Sequence, residues 1–147
     1  LSKPKSYFSP HFRIENSWAL ELSKSVPFQF EIDIIEADIS LDFDDLDIEE
    51  LTLHATSGTH TINFGMQKRR VVANIYSSST QLVLNVPAKS FVRLNLKNPF
   101  CKLEYPQGDF TKNEDGTFIS TVSKNEFCLI ELTVDGPIKH LVLDIAE

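Results

Sequence analysis

A repeat constrains this chain more than any other feature of its sequence. Ile32, Leu53, Ile75, Leu94 and Leu132 are branched and apolar, and nine residues on from each stand Leu41, Ile62, Leu84, Leu103 and Leu141, branched and apolar again. A fixed offset kept across five segments marks a repeat architecture, in which each unit buries its apolar face only against its neighbours. Two residues before the first set lie Phe30, Leu51, Ala73, Val92 and Ile130, and two after the second lie Phe43, Phe64, Val86, Tyr105 and Leu143. Apolar residues at every second position mark half-buried strands. The turn columns align as well: Glu36, Ser57, Ser79, Asn98 and Gly136, followed by Ala37, Gly58, Thr80, Pro99 and Pro137. Proline fixes φ and glycine or asparagine tolerates unusual backbone angles, so these columns read as tight corners.

Each unit is therefore strand, corner, strand and a more variable return. No stretch between the strands carries a helical period, which excludes helical crossovers. Columns that keep their chemistry from unit to unit favour stacking in register over a meander of hairpins. The expected fold is all-β: a short single-stranded β-solenoid, β-helix-like, of five rungs stacked in chain order with two strands each. The chain of 147 residues reads as a single domain. Residues 27–105 and 128–146 form the rungs. Residues 106–127, with Asp115-Gly116 between Phe110 and Phe118, form an inserted loop or hairpin. Residues 1–26, carrying Trp18, Leu20 and Leu22, are expected to cover the first rung, because a solenoid end otherwise exposes unpaired backbone.

Composition agrees and removes some functions. Eleven Phe and one Met, with abundant Ile, Leu, Val and Thr, suit strands. A net charge of −7 argues against a nucleic-acid partner. Cys101 and Cys128 have neither a CxxC spacing nor a Cys/His cluster, so they read as small core residues, not as a disulfide framework or a zinc site. No apolar run approaches the roughly 20 residues that cross a bilayer. A chain beginning at Leu1 and not Met is expected to be part of a longer precursor.

Three segments carry a further likeness. Val26-Pro27-Phe28 to Phe43, the lead-in Leu46-Asp47-Ile48-Glu49-Glu50-Leu51-Thr52-Leu53, and the corner Ser57-Gly58-Thr59-His60-Thr61-Ile62 resemble the toast-rack domains. Val86-Pro87 closing a rung belongs to the same pattern. That group includes the C-terminal domain of LiaF-type envelope-stress regulators and related adhesin-like bacterial domains. The resemblance spans residues 26–146 and implies a bacterial, cell-envelope-associated module of regulatory or interaction type, active in stress response. It implies no catalytic residues and no cofactor, and members often carry membrane helices upstream. This chain departs from the pattern at the corner Ser78-Ser79-Thr80, which lacks glycine, and in having no membrane helix.

The candidate sites are few. Residues 31–50 hold ten of the 21 acids and no Lys or Arg, which leaves eleven acids against fourteen bases elsewhere. Asp42, Asp44, Asp45 and Asp47 are a weak Ca²⁺ candidate, because the run lacks the EF-hand glycine and its closing Glu. A solvated, self-repelling face is the stronger reading of the block. Stacking in chain order predicts an outward column of Asp33, His54, Tyr76, Asn95 and Thr133. It sets Asp33 beside His54, as a pH sensor, half of a dyad or an ordinary surface pair. Arg93 and Glu131 should pair in the same way. His60 shares an inward column with Ile39, Leu82, Cys101 and Lys139 and reads as a satisfied, partly buried histidine. Lys68-Arg69-Arg70 reads as a solvated basic turn, and Ser77-Ser78-Ser79 has no GxSxG context.

With no acid, base and nucleophile together, the expected function is non-enzymatic: an interaction or regulatory module. On chain-order stacking the last rung ends at Leu141, Val142 and Leu143 with nothing to cap it, a template for a second copy or a partner strand. A cell-wall carbohydrate-binding module is the alternative, with Tyr76 and Phe91 as outward aromatics.

Overall fold

The computed structural model describes residues 22, 25–121 and 128–146. Their regular structure is all strand, twelve in number: β1 (Phe28–Ile34), β2 (Ile39–Asp42), β3 (Ile48–Ala55), β4 (Thr59–Asn63), β5 (Val71–Ser77), β6 (Gln81–Pro87), β7 (Phe91–Leu96), β8 (Lys102–Glu104), β9 (Phe110–Lys112), β10 (Phe118–Ser120), β11 (Leu129–Asp135) and β12 (His140–Ala146). Odd and even strands of each rung part into two sheets. One has the order β1-β3-β5-β11-β7-β10-β9, the other β2-β4-β6-β12-β8. Every pairing between rungs is parallel. This is a β-solenoid of five two-strand rungs.

Between the sheets lies one apolar core. Leu51, Leu53, Ile75, Leu94, Ile130 and Leu132 point in from the first sheet, and Ile62, Leu82, Leu84, Leu141 and Leu143 from the second. Each is at most 1% exposed, which for such side chains is worth roughly 1.5–3 kcal/mol apiece against leaving them in water. At the first rung an aromatic run spans the sheets: Phe30 to Phe43 at 5.4 Å between ring centroids, and Phe43 to Phe64 at 6.5 Å.

Stacking does not follow chain order. The C-terminal rung, β11–β12, inserts between rung three (β5–β6) and rung four (β7–β8). β12 pairs β6 along His140–Ala146 and β8 along His140–Val142, so Leu141 and Val142 have a strand on both sides and Leu143 pairs Leu84 inside the sheet. These three residues are not a free edge, which corrects the expectation from chain order.

The columns shift with it. Ile32, Leu53 and Ile75 align as expected, but the column continues through Val134 and Leu96, while Leu132 lies between Ala73 and Leu94. In the second sheet Leu41, Ile62 and Leu84 continue to Leu143, while Leu141 lies between Leu82 and Leu103. Both sheets slip by two residues. A slip of one would turn every side chain to the other face, whereas a slip of two keeps the same face inward and leaves the apolar pattern intact.

Corners fix the true register. Gly58 takes φ +113°, and a Cβ there would come 2.3 Å from the Ala37 carbonyl oxygen of the rung beneath. Gly136 takes φ +102° and would meet the Ser77 carbonyl oxygen at 2.2 Å. Glycine is required where one corner rests on the backbone of the next and the angle is left-handed. Asn98 Nδ2 then donates to the Gly136 oxygen at 3.1 Å, tying rung four to the inserted rung.

Beyond rung four the first sheet continues as an antiparallel hairpin. β10 pairs β7, and β9 pairs β10. Its turn closes by Asn113 N–H to Thr117 O at 2.8 Å and Gly116 N–H to Asn113 O at 3.0 Å. The expected cover of the first rung falls on residues 1–26, of which only 22, 25 and 26 are among the described residues.

Candidate interaction surfaces

Asp33 pairs His54 and His54 pairs Tyr76 in register, as the sequence implies. The next residue in the column is Asp135, because of the two-residue slip. Asn95 and Thr133 stand instead in the neighbouring column with Thr52 and Asn74. The His54 and Tyr76 rings stack with centroids 4.8 Å apart and planes 6° from parallel, the distance that adjacent strands impose. Beside them runs a shallow groove of about 440 Å³, lined by Asp33, Ile35, His54, Tyr76, Ser78 and Pro137 among others. Tyr76 is 43% exposed, but one of its ring faces is spent on His54. A sugar-stacking platform needs open faces, so the column suits carbohydrate poorly. Phe91, the other aromatic expected to face out, is half-buried at the start of β7.

The acidic block is engaged locally. Asp42 Oδ1 accepts from Asp44 N–H and from Asn63 Nδ2, both at 3.0 Å. Asp47 Oδ2 accepts from Arg69 Nε at 3.0 Å, and Glu49 accepts from Arg69 Nη1 at 2.9 Å. Among the described residues no three His, Cys, Asp or Glu side chains gather as a metal site would require, and Asp42, Asp44, Asp45 and Asp47 act as turn and ion-pair residues. The basic turn is thus partly neutralised, since Arg70 binds Glu131 through Nε at 2.6 Å. Arg93 lies opposite Glu131 in register, but Arg70 is the residue that holds it.

His60 lies between Ile39 and Leu82, as expected, but it is fully buried where partial burial was expected, and Leu141 stands beyond Leu82 where the sequence reading placed Cys101 and Lys139. Its Nε2 lies 3.1 Å from the Ser57 carbonyl oxygen and its Nδ1 lies 3.1 Å from Ser77 Oγ. A carbonyl only accepts, so Nε2 carries the proton and, in the neutral ring, Nδ1 accepts from the Ser77 hydroxyl. Ser77 Oγ in turn accepts from Ser79 N–H at 3.1 Å. Every polar atom of this buried group except Ser79 Oγ has a partner, and the group serves the corner. Gln67, 3% exposed, is a polar core residue that strand periodicity cannot flag. It accepts from Ile48 N–H at 3.0 Å and donates to the Phe43 and Phe64 oxygens, clamping two return loops.

The far end of the stack was not legible as a site. β7 and β8 form one rung, but among the described residues β10 and β9 have no counterparts in the second sheet, which stops two strands short. Tyr105, just after β8, leans into that space edge-on to Phe118 at 5.4 Å and Phe110 at 6.2 Å. Next to it a cleft of about 490 Å³ opens between β8, the preceding corner and the hairpin, lined by Leu96, Cys101, Leu103, Tyr105, Lys112 and Phe118 among others. Cys101 is therefore half-exposed on a cleft wall, whereas Cys128 is a core residue. Burial raises both thiols above the ordinary value. Phe100, 92% exposed, stands on the same corner. On the outer side Lys102 Nζ binds Glu104 at 2.5 Å, and that bond holds the exposed Glu104 carboxyl below its usual range.

Two parallel sheets joined rung by rung define a parallel β-solenoid. The family model for the N-terminal domain of toast_rack, DUF2154, matches residues 1–78, and the chain belongs to that family. The match ends at the third rung's corner, so it covers the part in which chain order and stacking order agree. Among solved structures, one described as a "putative cell adhesion protein" from Clostridium sporogenes ATCC 15579 superposes with a TM-score of 0.76 at 13% identity. The likeness covers 85% of this chain and 58% of that one, so this chain spans little more than half of its length. No curated protein matches.

Proposed function

We propose that this chain is a non-enzymatic protein-interaction module of the bacterial cell envelope, regulatory in character and held at the membrane by another part of a longer precursor. One observation carries the reading: among the described residues the second sheet ends two strands before the first, at β8, with a cleft of mixed apolar and polar lining beneath that edge. An edge of this kind recruits an extended strand by backbone hydrogen bonds, with side-chain pockets adding selectivity. Family membership and the adhesion description of the structural neighbour support an envelope setting. The association expected at a strand edge is thus moved from β12 to β8.

The test places a photo-crosslinking residue at Phe100, and at the exposed Lys89 as a control, in the full-length protein expressed in its own cells. A discrete protein adduct at Phe100, absent at Lys89 and lost in Leu103→Pro, is the expected result. Equal adducts at both positions, or none at Phe100, would remove the reading.

A further inference from the structure

The end of the stack also restricts what its partner looks like. The inference rests on the edge reading above and names the occupant: we infer that the strand received at β8 is a short, extended, apolar-centred peptide segment of a partner polypeptide, not the sheet edge of a second folded copy. Three features of the fold lead there.

First, the free backbone groups are few and defined. Lys102 N–H donates to Lys139 O at 3.1 Å. Strand alternation then turns the N–H and C=O of Leu103 away from β12, to a side where no described strand lies. β8 pairs for only three residues, Lys102–Glu104, before the chain leaves the sheet through Tyr105 toward β9. An added strand is therefore limited to a few residues in register.

Second, the hairpin excludes a copy. Every second-sheet strand of a rung is backed by its own first-sheet strand. Any copy that continued the second sheet beyond β8 would bring such a strand into the layer that β10 and β9 already occupy. This holds for an antiparallel β8-to-β8 contact and for a head-to-tail contact through β2. A lone peptide strand has no backing layer, and the inner face of β10 backs it instead.

Third, the cleft supplies a pocket for one face of the strand. Leu96, Leu103, Tyr105 and Phe118 form its apolar part, next to Asn98 and Lys112, so the central inward residue of the peptide, which meets Leu103 and Phe118, is aliphatic. Those pointing outward meet Lys102 and Glu104, a mixed pair of charges that suits polar side chains. Alternation of this kind is what a single added strand requires.

The probe is an acetylated, amidated hexapeptide alternating Val and Thr, titrated into the isotope-labelled protein and followed by NMR. Saturable shifts at the Leu103 amide and the Phe118 ring are expected. Affinity should fall at least tenfold when the peptide's central Val is N-methylated, and again in Leu103→Pro. Because proline could disturb folding, Cys101→Phe, which fills the cleft and leaves the backbone alone, should weaken binding likewise. Failure of the hexapeptide to bind at millimolar concentration would overturn the inference. So would a dimer by light scattering that Lys102→Glu abolishes, and in that case the Phe100 adduct would still form, as the chain itself. Absence of both adduct and peptide binding would remove the edge reading as well.

Discussion

The first three rungs and the last two are built from the same strand pair, yet they assemble differently. Rungs one to three stack as the chain runs. After β6 the chain skips a position, lays down rung four and the hairpin, and returns to fill the gap with β11 and β12. The returning rung has two strands of seven residues with an unbroken apolar alternation. Rung four ends in β8, three residues long with Lys102 and Glu104 facing out. A long apolar pair gains most where strands cover both its edges, and a short charged strand costs least at a rim. The exchange puts each where its composition is best served, and it makes the inserted rung, β11 and β12, the keystone of the stack.

The largest effect that separates the two orders comes from removing residues 128–147. A stack in chain order would keep four rungs and melt somewhat earlier. The exchanged order leaves rung three and rung four with no contact between them, so cooperative melting by circular dichroism should be lost. Next in size are single truncations. Leu132→Ala, in the inserted rung and 1% exposed, should cost about 2–5 kcal/mol by denaturant midpoint. Leu103→Ala, half-buried at the rim, should cost about 1 kcal/mol, since only part of the side chain leaves water on folding. Equal losses would mean that the last rung is no more central than the rim.

Glycine substitutions sharpen the comparison further. Gly136→Ala meets both a left-handed φ of +102° and the Ser77 oxygen, and should cost about 1–3 kcal/mol or more. Gly116→Ala has φ +84° but open space around it, so the strain of the angle alone, about 1 kcal/mol, is expected. The smallest effect is with pH. The Asp115 carboxyl is held low by hydrogen bonds from Thr117, and the Glu104 carboxyl by Lys102. A depressed carboxyl stabilises the fold above its unfolded pKa, and the benefit fades as pH falls through the folded value. Both groups are solvent-exposed, so Asp115→Asn should flatten the acid limb of a Tm-against-pH curve only slightly, and a large change would contradict this.

Much of the fold was readable from residues. Alternation in Phe28–Ile34, Val71–Ser77 and Leu129–Asp135 named the strands and their inward faces, because a side chain on a strand has two choices and burial picks one. The pairing of Asp33, His54 and Tyr76 followed, since those rungs are sequential in space. Leu141, Val142 and Leu143 were misplaced as a free edge for the complementary reason: nothing local distinguishes the neighbour before a rung from the one after it. Gln67 and the β8 cleft left no signal: the amide clamp reaches Ile48 and Phe43, 19 and 24 residues away, and the two-strand deficit depends on how whole rungs stack.

The sequence by itself therefore determined the repeating unit, its two inward faces and its glycine corners, all of which depend on backbone geometry within some twenty residues. The order of the rungs, the two-residue slip and the open edge at β8 were decided only in the tertiary structure. Apolar strand faces are interchangeable at even shifts, so local pattern leaves several stacks equally good. The choice falls to long-range contacts, among them the corner of Gly136 resting on Ser77 and the hairpin extending the first sheet past β7.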